Sequence, residues 1–275
     1  MLKVMTTQTI LITGAGCGLG QALALQLAQS NTHLLLNDVS EDALAQTISL
    51  LDQTSDAYST VPFDLSDVDG IPNWVHSMLG THTSIDWVIN CAGISITSAA
   101  LNLNTTQWQR ILSINLQAVI ALSTILGQHM VTRGTGRIIN IASMFGQLPA
   151  PSGIAYATTK HALVGFTRTL QIEMSNTGVM VHLVCPGFIR TELFANAEYI
   201  GVEKEKIQPD TSKMLTATEA AHKILQGIHK NRSWIIFPLY VKMLWWLEWC
   251  IPWLARWIWA QEWRKFRESA PSQSS

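Results

Sequence analysis

Short, nearly continuous apolar runs separated by longer amphipathic stretches constrain this chain more than any other feature. The runs are TILIT (9–13), HLLLND (33–38), YSTVPFD (58–64), DWVINCAG (86–93), GRIINIAS (136–143), VMVHLVCPG (179–187) and WIIF (234–237). A strand with one wet face alternates polar and apolar residues, whereas a strand covered on both faces is apolar throughout. Helical patterns lie between the runs. One opens with Ser40 as N-cap and Asp42 in its first turn; others cover about 105–130, AYATTKHALVGFTRTLQIEM and about 218–229, with a weaker one in SDVDGIPNWVHSML. This alternation predicts an α/β chain: a doubly wound parallel sheet of about seven strands with helices on both faces. Ligands in that architecture bind at the carboxyl ends of the strands.

TGAGCGLG (13–20) follows the first run and opens a helix. Glycines let the backbone turn tightly and approach a pyrophosphate, and a helix N-terminus offers unpaired N–H groups and a positive dipole. Asp38 ends the second run. Its carboxylate can accept both adenosine-ribose hydroxyls and would repel a 2′-phosphate; Cys17 and Val39 are neutral, so NAD is expected over NADP. Tyr156 and Lys160, four residues apart, share one helix face. A tyrosine, with an ordinary pKa of about 10, is a weak acid–base group near neutrality. A neighbouring ammonium stabilises the phenolate and is expected to lower that value. Ser143, at the end of the fifth run, can hold the reacting oxygen.

Taken together, these residues resemble the classical short-chain dehydrogenase/reductase family over about 6–237. The motifs are TGAGCGLG, Asp64 after the third run, NCAG at 90–93, Asn115 in the 105–130 helix, Ser143, YATTK at 156–160 and PGFIRT at 186–191. The resemblance implies a Rossmann-type fold and an Asn115–Ser143–Tyr156–Lys160 tetrad. Tyr156 would be the acid/base and Ser143 would orient the carbonyl or hydroxyl. Lys160 would bind the nicotinamide ribose and tune Tyr156, and Asn115 would hold a water in a proton relay. Gly14, Cys17, Gly18, Leu19, Gly20 and Asp38 would contact the dinucleotide, with Asp64 and the Leu65 backbone at adenine. Asn90, Ala92 and Gly93 would flank the ribose, and Pro186, Gly187, Ile189 and Thr191 would line the nicotinamide side. Leu65 and Cys91 depart from the family's usual valine and second asparagine, at positions where the backbone can still make the contact.

The segment 188–215 would cover the substrate. It carries Phe188, Leu193, Phe194, Tyr199 and Met214 with a single arginine, Arg190, and Met144, Phe145 and Leu148 follow the catalytic serine. A mainly apolar pocket suggests a lipophilic alcohol or ketone of sterol, retinoid or long-chain type. Two alternatives are carried: reduction of 3-oxoacyl thioesters, which in this family usually uses NADP, and a non-catalytic NAD-binding scaffold. Glu203-Lys204-Glu205-Lys206 reads as a solvated face. No metal is expected, because His33, His129, His161 and His182 have no ligand-like spacing, and four scattered cysteines suggest neither a zinc site nor disulfides but a reducing, cytoplasmic setting. The first residues do not read as a signal peptide.

Charged residues make up 13% of the chain, against the roughly 25% usual for a soluble domain, so apolar surface is left over for a ligand, a partner or lipid. A net charge of −1 gives no pull toward nucleic acid. The charge is uneven: from His229 onward seven Lys/Arg face three Glu, and eight of the eleven tryptophans lie there. The domain division is therefore a catalytic unit at 1–237, a Trp-rich amphipathic helical tail at 238–268 and a polar end at 269–275. Trp245, Trp249, Trp253 and Trp257 recur every fourth residue and would form one stripe on a continuous helix, with Pro252 best placed at the start of a second helix. Each piece is too short for a bilayer, which needs about 20 apolar residues. The tail (243–263) is expected to lie peripherally at the inner face of a membrane, the alternatives being a subunit contact or intrachain core. The family resemblance implies a homodimer or homotetramer.

Overall fold

Every residue of the central strands meets a covered face, which is why the strands are apolar without alternation. The computed structural model describes residues 7–28, 31–51, 57–82, 84–202, 204 and 214–269. The region judged not to be a signal peptide lies outside these at 1–6. So do most of the Glu203–Lys206 run, residues 203 and 205–213 of the substrate-covering segment, and the polar end beyond 269. The strands of the main sheet are β1 (Gln8–Thr13), β2 (Thr32–Asn37), β3 (Tyr58–Thr60), β4 (Trp87–Asn90), β5 (Gly136–Ile141), β6 (Val179–Pro186) and β7 (Trp234–Phe237). They form one seven-stranded sheet in the order β7-β6-β5-β4-β1-β2-β3, every pair parallel. This is the doubly wound, Rossmann-type arrangement, with its switch point between β1 and β4.

The helices are α1 (Gly18–Leu27), α2 (Glu41–Leu50), α3 (Ile71–Thr81), α4 (Thr105–Leu112), α5 (Ala118–Arg133), α6 (Ile154–Glu173), α7 (Ala217–His229), α8 (Leu239–Cys250) and α9 (Pro252–Ser269). Side chains alternate between the two sheet faces. Ile10, Ile12, Leu34, Leu36 and Ile139 meet Leu23 of α1 and Ile224 of α7. Leu11, Leu35, Val88 and Ile138 meet Val75 of α3 and Leu122 and Met130 of α5. The run Thr105–Arg133 is apolar and long enough to cross a membrane by composition. Its apolar side is instead committed to this second core through Leu122, Leu126 and Met130.

Two elements differ from the sequence expectation. The third run is a regular strand only to Thr60, because beyond it the Asn37 side chain, not the β2 backbone, takes up the carbonyls. The segment beyond stays tied to β2 all the same: Val61 N donates to Leu36 O (2.9 Å), and Asn37 Nδ2 donates to the carbonyls of Val61 and Phe63 (3.1 Å each). The 105–130 helix is in three parts, with a π-turn at Ser113–Gln117 between α4 and α5. Its start is fixed by a reciprocal capping box between Asn104 and Gln107 (both bonds 3.0 Å). Its end is set by Gly134 in the left-handed conformation.

A buried polar cluster joins the middle strands to the helices behind them. Asn90 Nδ2 donates to Asn140 Oδ1 (2.8 Å) and Ser123 Oγ (3.2 Å), and Asn140 Nδ2 donates to Thr167 Oγ1 (3.0 Å). Asn140 links β5 to both β4 and α6, so Asn140→Ala strips partners from groups with no access to water. The expected loss is about 1–3 kcal/mol, read as a lower urea midpoint at unchanged slope. A loss under about 0.5 kcal/mol, the usual size of a surface change, would contradict this role.

Candidate active site

The crevice begins where β1 and β4 end. Thr13 Oγ1 accepts the N–H of both Cys91 (3.0 Å) and Ala92 (3.1 Å), fixing the NCAG turn against the glycine loop. Contact is so close that a Cβ on Gly14, whose φ is +67°, would lie 2.8 Å from Ala92 Cα, and one on Gly20 would run into the Gly14 carbonyl. Glycine is needed at both positions for that reason. The helix α1 then starts at Gly18 after Cys17, which makes no side-chain cap, so its first N–H groups stay open toward the crevice. Asp38 is held at the end of β2 by two backbone donors, Gly16 N to Oδ2 (3.0 Å) and Ser40 N to Oδ1 (3.1 Å). This cradle fits a dinucleotide: glycine spares the turn a Cβ at Gly14 and Gly20, the start of α1 carries no side-chain cap, a carboxylate stands at the ribose end, and Thr191 and Glu192 close on the turn at Gly18.

Among the remaining cofactor candidates, Asp64 is exposed and accepts from Ser66 N (2.8 Å), while Leu65 turns its side chain into the core. Ala92 and Gly93 lie at the crevice, Gly93 beside Asn115 and Lys160. Asn90 does not bring its side chain there; it is spent on Ser123 and Asn140 behind the sheet. Pro186 ends β6, and Ile189 pairs with Leu215 in a short parallel ladder. Thr191 begins the helical turn Glu192–Ala195, beside Gly18.

The structure brings the tetrad together. Ser143 lies two residues past the end of β5, where it caps a short helical turn and accepts from Phe145 N (3.2 Å). One turn apart on α6, Tyr156 and Lys160 place the ammonium 5.6 Å from the phenol ring centre. Lys160 is buried, and its Nζ donates to Ile141 O (2.8 Å). Asn115 sits in the π-turn, a feature often found at functional sites. Its amide braces the loop after NCAG, accepting from Ile94 N (2.8 Å) and donating to Ile94 O (2.9 Å) and Thr159 Oγ1 (3.3 Å).

The electrostatics overturn one expectation. Burial pushes the Tyr156 phenol up to about 12, with a hydrogen bond from Ser143 pulling the other way and the Cys91 and Cys185 thiols adding to the rise. Lys160 was expected to lower this value. It does not dominate: its own pKa is pulled down to about 8 by the same burial, and its Nζ is engaged by a carbonyl. The Cys91 thiol is likewise raised to about 12 by burial, with Lys160 opposing. At neutral pH Tyr156 is therefore a protonated donor.

Beside Ser143 stands an aromatic wall. Phe145 meets Phe188 edge-on (ring centres 5.7 Å apart) and Phe188 meets Phe194 (5.9 Å). Met144 and Leu148, expected to line the substrate, are instead enclosed against Val241 of α8, so they support the wall from behind. Sequence reasoning missed Thr13, Thr159 and Tyr240. Thr13 and Thr159 stood inside recognised motifs. Tyr240 accepts from Phe188 N (3.2 Å) and closes over Gly187, a contact no local pattern announces. A cleft of about 1110 Å³ lined by Leu101, Pro151, Ile154, Trp263, Phe266 and Arg267 opens on the outer side of α6, away from the tetrad side chains.

A Rossmann-type sheet with this glycine cradle and a Ser–Tyr–Lys centre defines a dinucleotide-dependent oxidoreductase. The chain belongs to the short chain dehydrogenase family, which it matches over residues 8–199. It is 30% identical over 266 residues to a dehydrogenase/reductase SDR family protein 7-like of Drosophila melanogaster, covering 92% of this chain and 80% of that one. It is 29% identical over 228 residues to a 3-oxoacyl-(acyl-carrier-protein) reductase of Buchnera aphidicola, covering 83% and 92%. A short-chain dehydrogenase from Sphingobium yanoikuyae in complex with NADPH has a TM-score of 0.76 at 25% identity, covering 98% of each chain. One from Burkholderia phymatum in complex with NAD scores 0.78 at 24% identity, covering 90% and 94%, and shares the fold. Membership makes the chain an oxidoreductase of CH–OH or keto groups using a nicotinamide dinucleotide.

The raised phenol sets the pH behaviour. Alcohol oxidation needs Tyr156 as a base, so its kcat/KM should climb with pH from 7 to 8, about tenfold per unit, and less steeply above about 8, where Lys160 loses its charge, while carbonyl reduction stays flat near neutrality. Ser143→Ala removes the one group that lowers the phenol and should move the oxidation profile further alkaline. An oxidation plateau beginning below about pH 7 would contradict the burial argument.

Proposed function

We propose that this chain interconverts a lipophilic secondary alcohol and the corresponding ketone, with NAD preferred over NADP. The aromatic wall of Phe145, Phe188 and Phe194 beside Ser143 is the observation that carries the substrate class. Such a wall binds through buried apolar area and offers no partner for a charged substrate. Bound nicotinamide supplies or accepts the hydride. Ser143 holds the substrate oxygen, and Tyr156 donates its proton to the forming alkoxide in reduction or removes the hydroxyl proton in oxidation. Below about pH 8 Lys160 keeps a positive charge behind the phenol.

The preference for NAD rests on Asp38. Its carboxylate is fixed by Gly16 and Ser40, and the adjacent Val39 is 68% exposed and neutral, so that position offers no cation for a 2′-phosphate. A second reading, reduction of 3-oxoacyl thioesters, is supported by relatives bearing that name.

The test is a screen of secondary sterol, retinoid and alkanol substrates with NAD, beside 3-oxoacyl thioesters with NADPH. Turnover of a hydrophobic alcohol with NAD supports the proposal, whereas turnover confined to thioesters with NADPH sinks it in favour of the second reading. Tight NAD binding with no turnover of either set would point to a scaffold. Asp38→Ala combined with Val39→Arg should narrow or reverse the cofactor preference, and a wild-type preference for NADP would show the Asp38 argument wrong.

A further inference from the structure

The two C-terminal helices fold against the body, and what they leave outside differs sharply from what they bury. Val241, Leu244 and Trp245 of α8 and Trp259 of α9 join one apolar cluster with Met144, Leu148 and Phe188. Trp245 also stacks flat on Trp234 of β7 (ring centres 5.5 Å apart, planes 7° apart). As the position of Pro252 predicts, the run is two helices and not one stripe: the first stops at Ile251 and the second starts at Pro252, with Trp245 facing inward and Trp249, Trp253 and Trp257 facing solvent. The outer face of α8 repeats at helical spacing through Leu239, Met243, Trp246 and Cys250, with Trp249 (78% exposed) and Lys242 beside them. That of α9 runs through Trp253 (72% exposed), Trp257 and Arg264, with Arg256 and Arg267 alongside.

The acids are arranged differently. Glu248 lies on the inner side, accepting the Trp259 indole N–H (3.0 Å), and Glu262 is paired with Lys265 (2.6 Å). The outward tryptophans of α8 and α9 are thus interspersed with arginine and lysine, and Glu268 is the one remaining acid, at the far end.

We propose that this face docks on an anionic lipid bilayer, lying in the headgroup region without crossing it. Tryptophan favours the membrane–water boundary, and cations on the same face are attracted to anionic headgroups. Helices of 12 and 18 residues, the second carrying six charged side chains, are unsuited to a span of about 20 apolar residues. A second copy of this chain fits less well. In a two-fold contact the same patch meets itself, so Arg256, Arg264 and Arg267 would face one another with Glu268 as the single unpaired carboxylate on that helix. Docking would also act on the site: Tyr240, at the start of α8, holds Phe188 N and packs over Gly187. The lipid-facing helices are thereby attached to the loop that carries the aromatic wall. The docking itself is independent of which substrate is turned over.

The experiment compares the full-length chain with a variant carrying Trp249→Ser, Trp253→Ser and Trp257→Ser, all three outward-facing and outside the catalytic machinery. Each is floated with vesicles of phosphatidylcholine alone or with 30% phosphatidylserine, at low and high salt, while light scattering gives the oligomeric state. The wild type should float with the anionic vesicles, bind them at least about tenfold more tightly than neutral ones, and release at high salt. The triple variant should stay soluble, with unchanged oligomeric state and unchanged turnover of a water-soluble ketone. Wild-type protein that remains soluble with both vesicles overturns the proposal. So does a triple variant whose oligomer dissociates while the wild type ignores lipid, which would make the face a subunit contact.

Discussion

Thr13 stands where the parallel sheet changes its direction of growth, and its hydroxyl holds two strand ends together. By accepting the N–H groups of Cys91 and Ala92 it fixes the end of β4 against the end of β1. Gly14 can then approach Ala92 without a side chain in the way, and Gly20 can seat α1 on the Gly14 carbonyl. The open N-terminus of α1, the Asp38 carboxylate and the NCAG turn all take their places from this junction. Asn115 extends it outward by bridging both backbone groups of Ile94. The cofactor crevice is thus a consequence of how two strands end.

Burial gives the catalytic pair its character and limits it. Lys160 pays for its enclosed position by losing basicity, and the phenol beside it becomes a weaker acid for the same physical reason. A phenol that holds its proton at neutral pH is suited to giving it away to a forming alkoxide. The reverse reaction needs that proton removed first. Ser143 is the local correction, since its hydrogen bond favours the phenolate.

Much of this was legible in the sequence because the relevant residues are bound by local rules. Both-face burial writes itself as continuous apolar runs, and all seven strands appear where those runs stand. The glycine turn, Asp38, Ser143, Tyr156 and Lys160 occupy fixed offsets from strand ends, so spacing located them. What spacing could not give were outcomes of long-range packing. The inward direction of Asn90 depends on Asn140, fifty residues away. The enclosure of Met144 and Leu148 depends on Val241, and the clasp of Phe188 on Tyr240. The break at Pro252 was legible, because proline opens a helix but cannot continue one, whereas the inward turn of Trp245 depends on Trp234 of β7. The rise of the Tyr156 pKa was hidden too, because a sequence shows the nearby ammonium and conceals the depth of burial.

The central claim is that Tyr156 moves the proton while the rest of the crevice binds the dinucleotide. The most direct measurement replaces Tyr156 by Phe and follows NADH binding by fluorescence titration beside single-turnover reduction of a hydrophobic ketone. The account predicts NADH affinity within about threefold of wild type, less than 1 kcal/mol by the usual conversion, and a chemical step slowed by at least about a hundredfold, the low end for a lost general acid. A chemical step that survives the substitution unchanged would contradict it.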